Sequence, residues 1–99
     1  MEMLKVVKNE QTILKLSGEL DMTNSNIIRE KILEMNLKDL ILDFENVTYI
    51  DSSGIGVLIS LQKDTRYKGG SMRIINIENK LLKLLKMVGI DKLLQISEK

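Results

Sequence analysis

Apolar and polar positions along this chain change period several times, and each change marks an element. Val6-Val7 and then Thr12 to Leu16 read as two short strands around a turn at Asn9-Glu10-Gln11. Ile13, Leu14 and Leu16 are the apolar positions of the second strand, and Gly18 punctuates its end. Thr23 or Asn24 then caps a helix running to about Met35, with Ile28, Ile32 and Met35 at i, i+4 and i+7. Asp39 to Phe44 is the third strand, and its near-continuous Leu40-Ile41-Leu42 suits burial on both faces. A second helix spans about Ser52 to Tyr67 and stops at the turn Gly69-Gly70. Met72 to Ile77 is the fourth strand. Asn79 caps a third helix with the stripe Leu81, Leu84, Leu85 and Val88, and Gly89 suits its C′ position. Leu93 to Ile96 reads as a final short strand.

The resulting order, β-β-α-β-α-β-α-(β), predicts an α/β fold. It has a mixed, mostly parallel sheet of four to five strands, an N-terminal antiparallel hairpin and three helices packed against it. Strands that open onto helices share one rim of such a sheet. The loop Gly18-Glu19-Leu20-Asp21 is therefore expected beside the segment Thr48 to Ser53, at the carboxyl ends of strands, where ligands and partners meet open α/β sheets.

Composition narrows what that rim can do. The 99 residues suit one domain over 1–99, and 43% hydrophobic content supports a modest core. A net charge of +1 makes no polyelectrolyte field, and one Phe, two Tyr and no Trp leave little to stack on bases, so nucleic acid is not expected. Cys and His are both absent. That removes disulfides, thiol nucleophiles, the commonest metal ligand and the commonest general base. No membrane-length apolar run or signal peptide is visible, and a soluble cytoplasmic protein is expected.

The chemistry then concentrates on Tyr49-Ile50-Asp51-Ser52-Ser53-Gly54-Ile55-Gly56-Val57-Leu58. Two hydroxyls and a carboxylate stand where a strand hands over to a helix N-terminus, with its free N–H groups and positive dipole end. With Asp51 as N-cap, its carboxylate accepts from the amide of Ser53 or Gly54. That alone is an ordinary cap, worth about 1 kcal/mol. The helical wheel adds a second feature. Ile55, Leu58, Ile59 and Gln62 form one side, widened by Val57 and Leu61. Ser53, Gly56, Ser60 and Lys63 stand opposite. A solvated face normally carries good helix formers, and Gly within a helix costs about 1 kcal/mol relative to Ala. The small row permits close approach by another protein. A phosphate on Ser53 would add a charge of roughly −1.5 to −2, with Asp21 and Asp51 making the local field more negative. Binding would then change without unfolding.

These residues resemble the STAS domain of bacterial anti-sigma-factor antagonists. The resemblance runs from about Val6 to Ile96. It rests on Leu16-Ser17-Gly18-Glu19-Leu20-Asp21, on Leu42-Asp43-Phe44 and on Ile50-Asp51-Ser52-Ser53-Gly54-Ile55-Gly56-Val57-Leu58. Gly69-Gly70 and Leu81-Leu82-Lys83-Leu84-Leu85 agree with it. It implies a non-enzymatic switch without a cofactor of its own. The unphosphorylated protein binds an anti-sigma factor that is also a serine kinase, and sigma factor is released. The kinase phosphorylates the second serine of the motif, Ser53, and a PP2C-type phosphatase resets it. Asp21 and Asp51 match the family's acidic loop residue and motif aspartate. Ser52, Gly54, Gly56, Val57 and Ser60 complete the expected contact set, with Gly54 and Gly56 keeping the approach clear.

Two departures from typical members stand out. The connection from Met35 to Leu40 is shorter, which bears on the end of the first helix. The chain ends at Lys99 without the C-terminal helix many members carry, which bears on the sheet or the third helix, where Leu82 and Met87 lie off the main stripe.

Other classes fare worse. A Ser52 or Ser53 nucleophile has no His, Lys63 reaches back awkwardly along its own helix, and Gly-x-Ser-x-Gly does not occur. No Gly-x-x-x-x-Gly-Lys-[Ser/Thr] loop supports NTP hydrolysis or kinase activity. Asp21, Asp43, Glu45 and Asp51 read better as cap, strand-end and surface residues than as a Mg²⁺ site. Lys80, Lys83 and Lys86 read as a solvated face, and Met35, Met72 and Met87 as core gap fillers. The alternative that keeps the same serine is a STAS scaffold or regulatory module of a larger sensory complex. Genes for a kinase-type anti-sigma factor and a sigma factor next door would favour the switch.

Overall fold

The structure, a computed structural model, describes residues 1–98. These form five strands and three α-helices in the order β1 (Glu2–Lys8), β2 (Gln11–Leu20), α1 (Ser25–Glu34), β3 (Leu40–Ile50), α2 (Ser52–Tyr67), β4 (Met72–Ile77), α3 (Asn79–Met87) and β5 (Gln95–Glu98). A single 3₁₀ turn, Ile90–Lys92, precedes β5. The sheet has the strand order β1-β2-β3-β4-β5. The β1–β2 pair is antiparallel and the other three are parallel. The expected architecture is therefore present, with five strands.

The hairpin closes through Asn9 and Glu10, both at positive φ (52° and 66°), the handedness that matches strand twist in a two-residue turn. Each later crossover moves one position in the same direction. Right-handed connections then place all three helices on one face of the sheet. Burial agrees with that. Leu14, Leu16 and Leu20 of β2, Leu42 and Phe44 of β3, and Ile74 and Ile77 of β4 are buried with Ile28, Ile32, Leu58, Leu61, Leu82 and Leu85 of the helices. On the opposite face Ile41 is still only 6% exposed, flanked in register by Ile13 of β2 and Arg73 of β4. The apolar run Leu40-Ile41-Leu42 is thus buried on both sides of its strand.

Several boundaries differ from the pattern-based reading, for identifiable reasons. β2 continues past Gly18 to Leu20, because irregularities in register on either side of Ser17-Gly18 absorb the glycine at φ 104°. β3 continues past Phe44 to Ile50. Its pairing with β4 ends at Asp43, but pairing with β2 goes on to Leu20↔Ile50. Beyond Phe44 only Val47 and Ile50 turn inward, so the segment lacks a continuous apolar run.

Helix α2 has the expected bounds but is turned by roughly a quarter-turn from the expected orientation. Gly54, Val57, Leu58, Leu61, Gln62 and Thr65 are buried, while Ile55 and Ile59 are only half-buried on its flank. In α3 the buried residues are Leu81, Leu82 and Leu85, whereas Val88 is 52% exposed. Leu82 therefore belongs to the core, and Val88 does not. Asn79 is the first residue of α3 rather than its cap, and its side-chain Nδ2 donates to Glu98 Oε2 in β5. Of the methionines expected to fill core gaps, Met72 is buried and Met35 packs against the core, but Met87 is exposed.

Gly70 is fixed by a close approach. Its amide donates to the carbonyl of Thr65, and a β-carbon there would sit 1.8 Å from the Lys38 carbonyl oxygen. Gly70→Ala should therefore lower stability by about 1–3 kcal/mol. The measurement is a urea melt, with a lower midpoint and an unchanged slope expected.

Candidate functional site

The rim at the carboxyl ends of β2 and β3 is built around one side chain. Asp51 follows β3 in an extended conformation (φ −105°, ψ −172°) and is the N-cap of α2. Its Oδ1 accepts from the amides of Ser53 (2.8 Å) and Gly54 (3.1 Å). Its Oδ2 accepts from the amide of Met22 (3.2 Å), 29 residues earlier in the loop between β2 and α1. Its own amide donates to the Leu20 carbonyl (3.2 Å), which continues the β2–β3 pairing by one step. The cap read from sequence is therefore also a clasp between two loops.

The β2–α1 loop is equally tied. Asp21 Oδ1 accepts from both the amide (2.9 Å) and the hydroxyl of Thr23. These bonds favour the ionised form, first through the hydroxyl and then through the amide, and hold the Asp21 carboxyl below its ordinary range. The Asp21 amide donates to Asn24 Oδ1 (3.1 Å), and Asn24 Nδ2 donates to the Glu19 carbonyl (2.7 Å). The Asp21 carbonyl accepts from the amides of Asn24 and Ser25 at the start of α1. Asn24 occupies the N-cap position of α1, yet its side chain braces the preceding loop. Asn24 thus stands at the cap position expected of Thr23 or Asn24 without making a side-chain cap bond, and the sequence reading assigned no role to Met22. Asp-x-Thr-Asn does carry the composition of an Asx-type turn, which is the local signal that was available.

The structure thus brings Asp21 and Asp51 to one rim with Ser52 and Ser53. Ser52 is exposed and Ser53 half-buried in the first turn of α2. Neither hydroxyl has a hydrogen-bond partner among the described residues. Gly56 is exposed and Ser60 half-buried further along. Two residues of the expected contact set point elsewhere. Val57 is 4% exposed and belongs to the core. Gly54 is buried, and a β-carbon there would lie 2.7 Å from the Leu20 carbonyl and 2.8 Å from Ile50 Cγ2. Gly54 therefore lets α2 seat on the ends of β2 and β3, rather than clearing a path for a visitor. Gly56 is the opposite case, because a β-carbon there would meet nothing within 4 Å.

The rim presents hydroxyl and carboxylate side chains. No imidazole or thiol exists in the chain. Among the described residues, no three acidic side chains gather as a metal site. Asp43 accepts from the Glu45 amide and from Asn76 Nδ2, well away from the capping role of Asp51. Grooves of about 480 and 450 Å³ open where Asp39, Ser71 and Gln95 precede or begin their strands, at the other end of the sheet. Neither is lined by any residue of the Ser53 rim. Among the described residues no helix is long and apolar enough to cross a membrane.

Two outcomes follow from this geometry. Gly56→Ala should raise stability by roughly 0.5–1 kcal/mol, and Gly54→Ala should lower it by about 1–3 kcal/mol, in paired denaturant melts. In an NMR titration, Asp21 should ionise at lower pH than an ordinary aspartate, and Thr23→Val should move its midpoint upward. A depressed folded-state pKa stabilises above the unfolded value and is lost as pH falls through the folded one. The Thr23→Val difference should therefore shrink once acid protonates Asp21.

Comparison with known proteins agrees with the geometry. The family model described as "STAS domain" matches residues 2–99. A Bacillus subtilis protein named anti-sigma-B factor antagonist is 31% identical over 97 residues, covering 95% of this chain and 89% of its own length. A crystal structure from Thermotoga maritima superimposes with a TM-score of 0.90 at 20% identity, covering 98% of this chain and 86% of that one. The Bacillus cell fate determinant SpoIIAA, solved in its phosphorylated form, superimposes with a TM-score of 0.72 at 22% identity, covering 99% and 93%. The two structures share the fold, and the extent of the sequence match decides the family: this chain belongs to the STAS domain family.

Proposed function

We propose that this chain is an anti-sigma-factor antagonist switched by phosphorylation of Ser53, acting in the cytoplasm. Its partner is an anti-sigma factor with serine kinase activity. The unphosphorylated rim of Asp21, Ser52, Ser53, Gly56 and Ser60 docks on that partner, and sigma factor is released. The kinase supplies ATP, Mg²⁺ and the base. The Ser53 hydroxyl oxygen attacks the γ-phosphorus, its proton passes to the kinase base, and ADP leaves. A PP2C-type phosphatase hydrolyses the phosphoserine and restores the binding form. The chain itself contributes an acceptor and a surface, not catalysis.

The observation that carries this reading is the state of the Ser53 hydroxyl. It stands unpartnered at the N-terminus of α2, while the amides of Ser53 and Gly54 are already engaged by Asp51. A phosphate placed there has a helix dipole behind it but finds those two donors taken. Its charge of roughly −2 then faces outward, on a rim that already carries Asp21 and Asp51. Like charge brought against a partner's acidic groups costs several kcal/mol, whereas the fold loses no bond. Gly56 supports the reading from another side. Glycine here costs about 1 kcal/mol relative to Ala, and no contact in the fold requires it. A surface kept bare for another backbone explains its presence. The name and extent of similarity of the Bacillus subtilis relative support the same partner class.

The test is incubation with the same organism's kinase-type anti-sigma protein and ATP, followed by mapping of the phosphate. Phosphate on Ser53 is expected. An unmodified protein, or phosphate on Ser52 alone, would count against the switch and in favour of a scaffold role. Ser53→Ala should bind like the unmodified protein, and Ser53→Asp should bind at least about 10-fold more weakly. Both variants should melt at similar temperatures, since Ser53 contributes only its amide to the cap.

A further inference from the structure

The loop between β2 and α1 ties its polar side chains to one another at the surface and leaves an apolar one exposed. Asp21, Thr23 and Asn24 bond to one another and to the Glu19 carbonyl. Met22 lies between them, with its amide held by Asp51 Oδ2 and its side chain 78% exposed. A solitary exposed hydrophobe is ordinary on a protein surface. This one is different in being fixed by long-range and local hydrogen bonds on both sides.

Position decides what covers it. Met22 and Ser53 are linked through two hydrogen bonds to one carboxylate, the amide of Met22 on Oδ2 and that of Ser53 on Oδ1, so the two residues are neighbours across Asp51. A stable protein interface covers about 800 Å² on each partner. A kinase that encloses the Ser53 hydroxyl therefore also covers Met22. An unbranched thioether chain is well suited to such a place, because it adapts its rotamers to the pocket that receives it. We infer that Met22 is an apolar anchor of the complex, seated in an apolar pocket of the serine-kinase partner beside the site that phosphorylates Ser53. This inference rests on the kinase partner proposed above. It assigns Met22 to recognition, with no part in the phosphoryl transfer.

The experiment uses the full chain, the same organism's kinase-type anti-sigma protein and ATP, with the variants Met22→Ser and Met22→Leu. Met22→Ser should raise KM for this protein as a substrate by at least about 10-fold and weaken its Kd in parallel, with kcat unchanged. Met22→Leu keeps the apolar volume and should stay within about threefold of wild type. Thermal melts should be alike, because the Met22–Asp51 bond uses only the main chain. If Met22→Ser matches wild type in KM and Kd, or if Met22→Leu is as impaired as Met22→Ser, the anchor is refuted while the switch stands. If wild type itself gains no phosphate on Ser53, the functional reading fails and this inference fails with it.

Discussion

One carboxylate organises the functional end of this molecule. Asp51 accepts three backbone hydrogen bonds, two from the first turn of α2 and one from the β2–α1 loop. Charge-assisted bonds of this kind are roughly twice as strong as neutral ones. Here they join segments far apart in sequence but adjacent across β2 and β3. The amide of Asp51 closes the same junction from the other direction by donating to Leu20. The direction of Ser53, the placement of Met22 and the proximity of Asp21 all depend on that junction. Because Asp51 occupies the amides of Ser53 and Gly54, the helix start is satisfied without help from a serine hydroxyl. The hydroxyl of Ser53 is left without a hydrogen-bond partner among the described residues.

The two glycines of α2 stand in opposite surroundings within a single turn. Gly54 faces the sheet and allows helix, β2 and β3 to meet without a β-carbon between them. Gly56 faces solvent and relieves no contact. The first follows from packing density, which leaves no room for another methyl group. The second lowers helix stability without relieving any contact in the fold. Ser53 and Ser60 flank the exposed side. Val57 and Leu58, one and two residues beyond Gly56, are already core. The exposed part of this rim is accordingly narrow, a ridge and an adjoining loop rather than a pocket.

Much of this was legible along the chain. The bounds of α2 and β4 fall where the periodicity and the Gly69-Gly70 turn put them, and the Asp51 cap forms as its position predicts. These features depend on neighbours in sequence. The misread elements depend on neighbours in space. β3 outruns its apolar run because β2 continues to pair with it. Helix α2 rotates because its first turn must seat Gly54 on Leu20 and Ile50, which a wheel weighted by Ile55 and Ile59 does not reveal. Val57 moves from expected contact to core by the same rotation, and Leu82 replaces Val88 in the buried face of α3.

The sequence by itself determined the alternation of strands and helices, the cap at the start of α2 and the exclusion of imidazole and thiol chemistry. Each of these follows from residue type and local spacing. Tertiary structure alone decided which of the two glycines of α2 is structural, and that Asp51 reaches across to Met22. Those outcomes depend on contacts between residues some thirty positions apart. Close packing and the directionality of hydrogen bonds select among locally acceptable conformations, and that selection exists only once the sheet has formed.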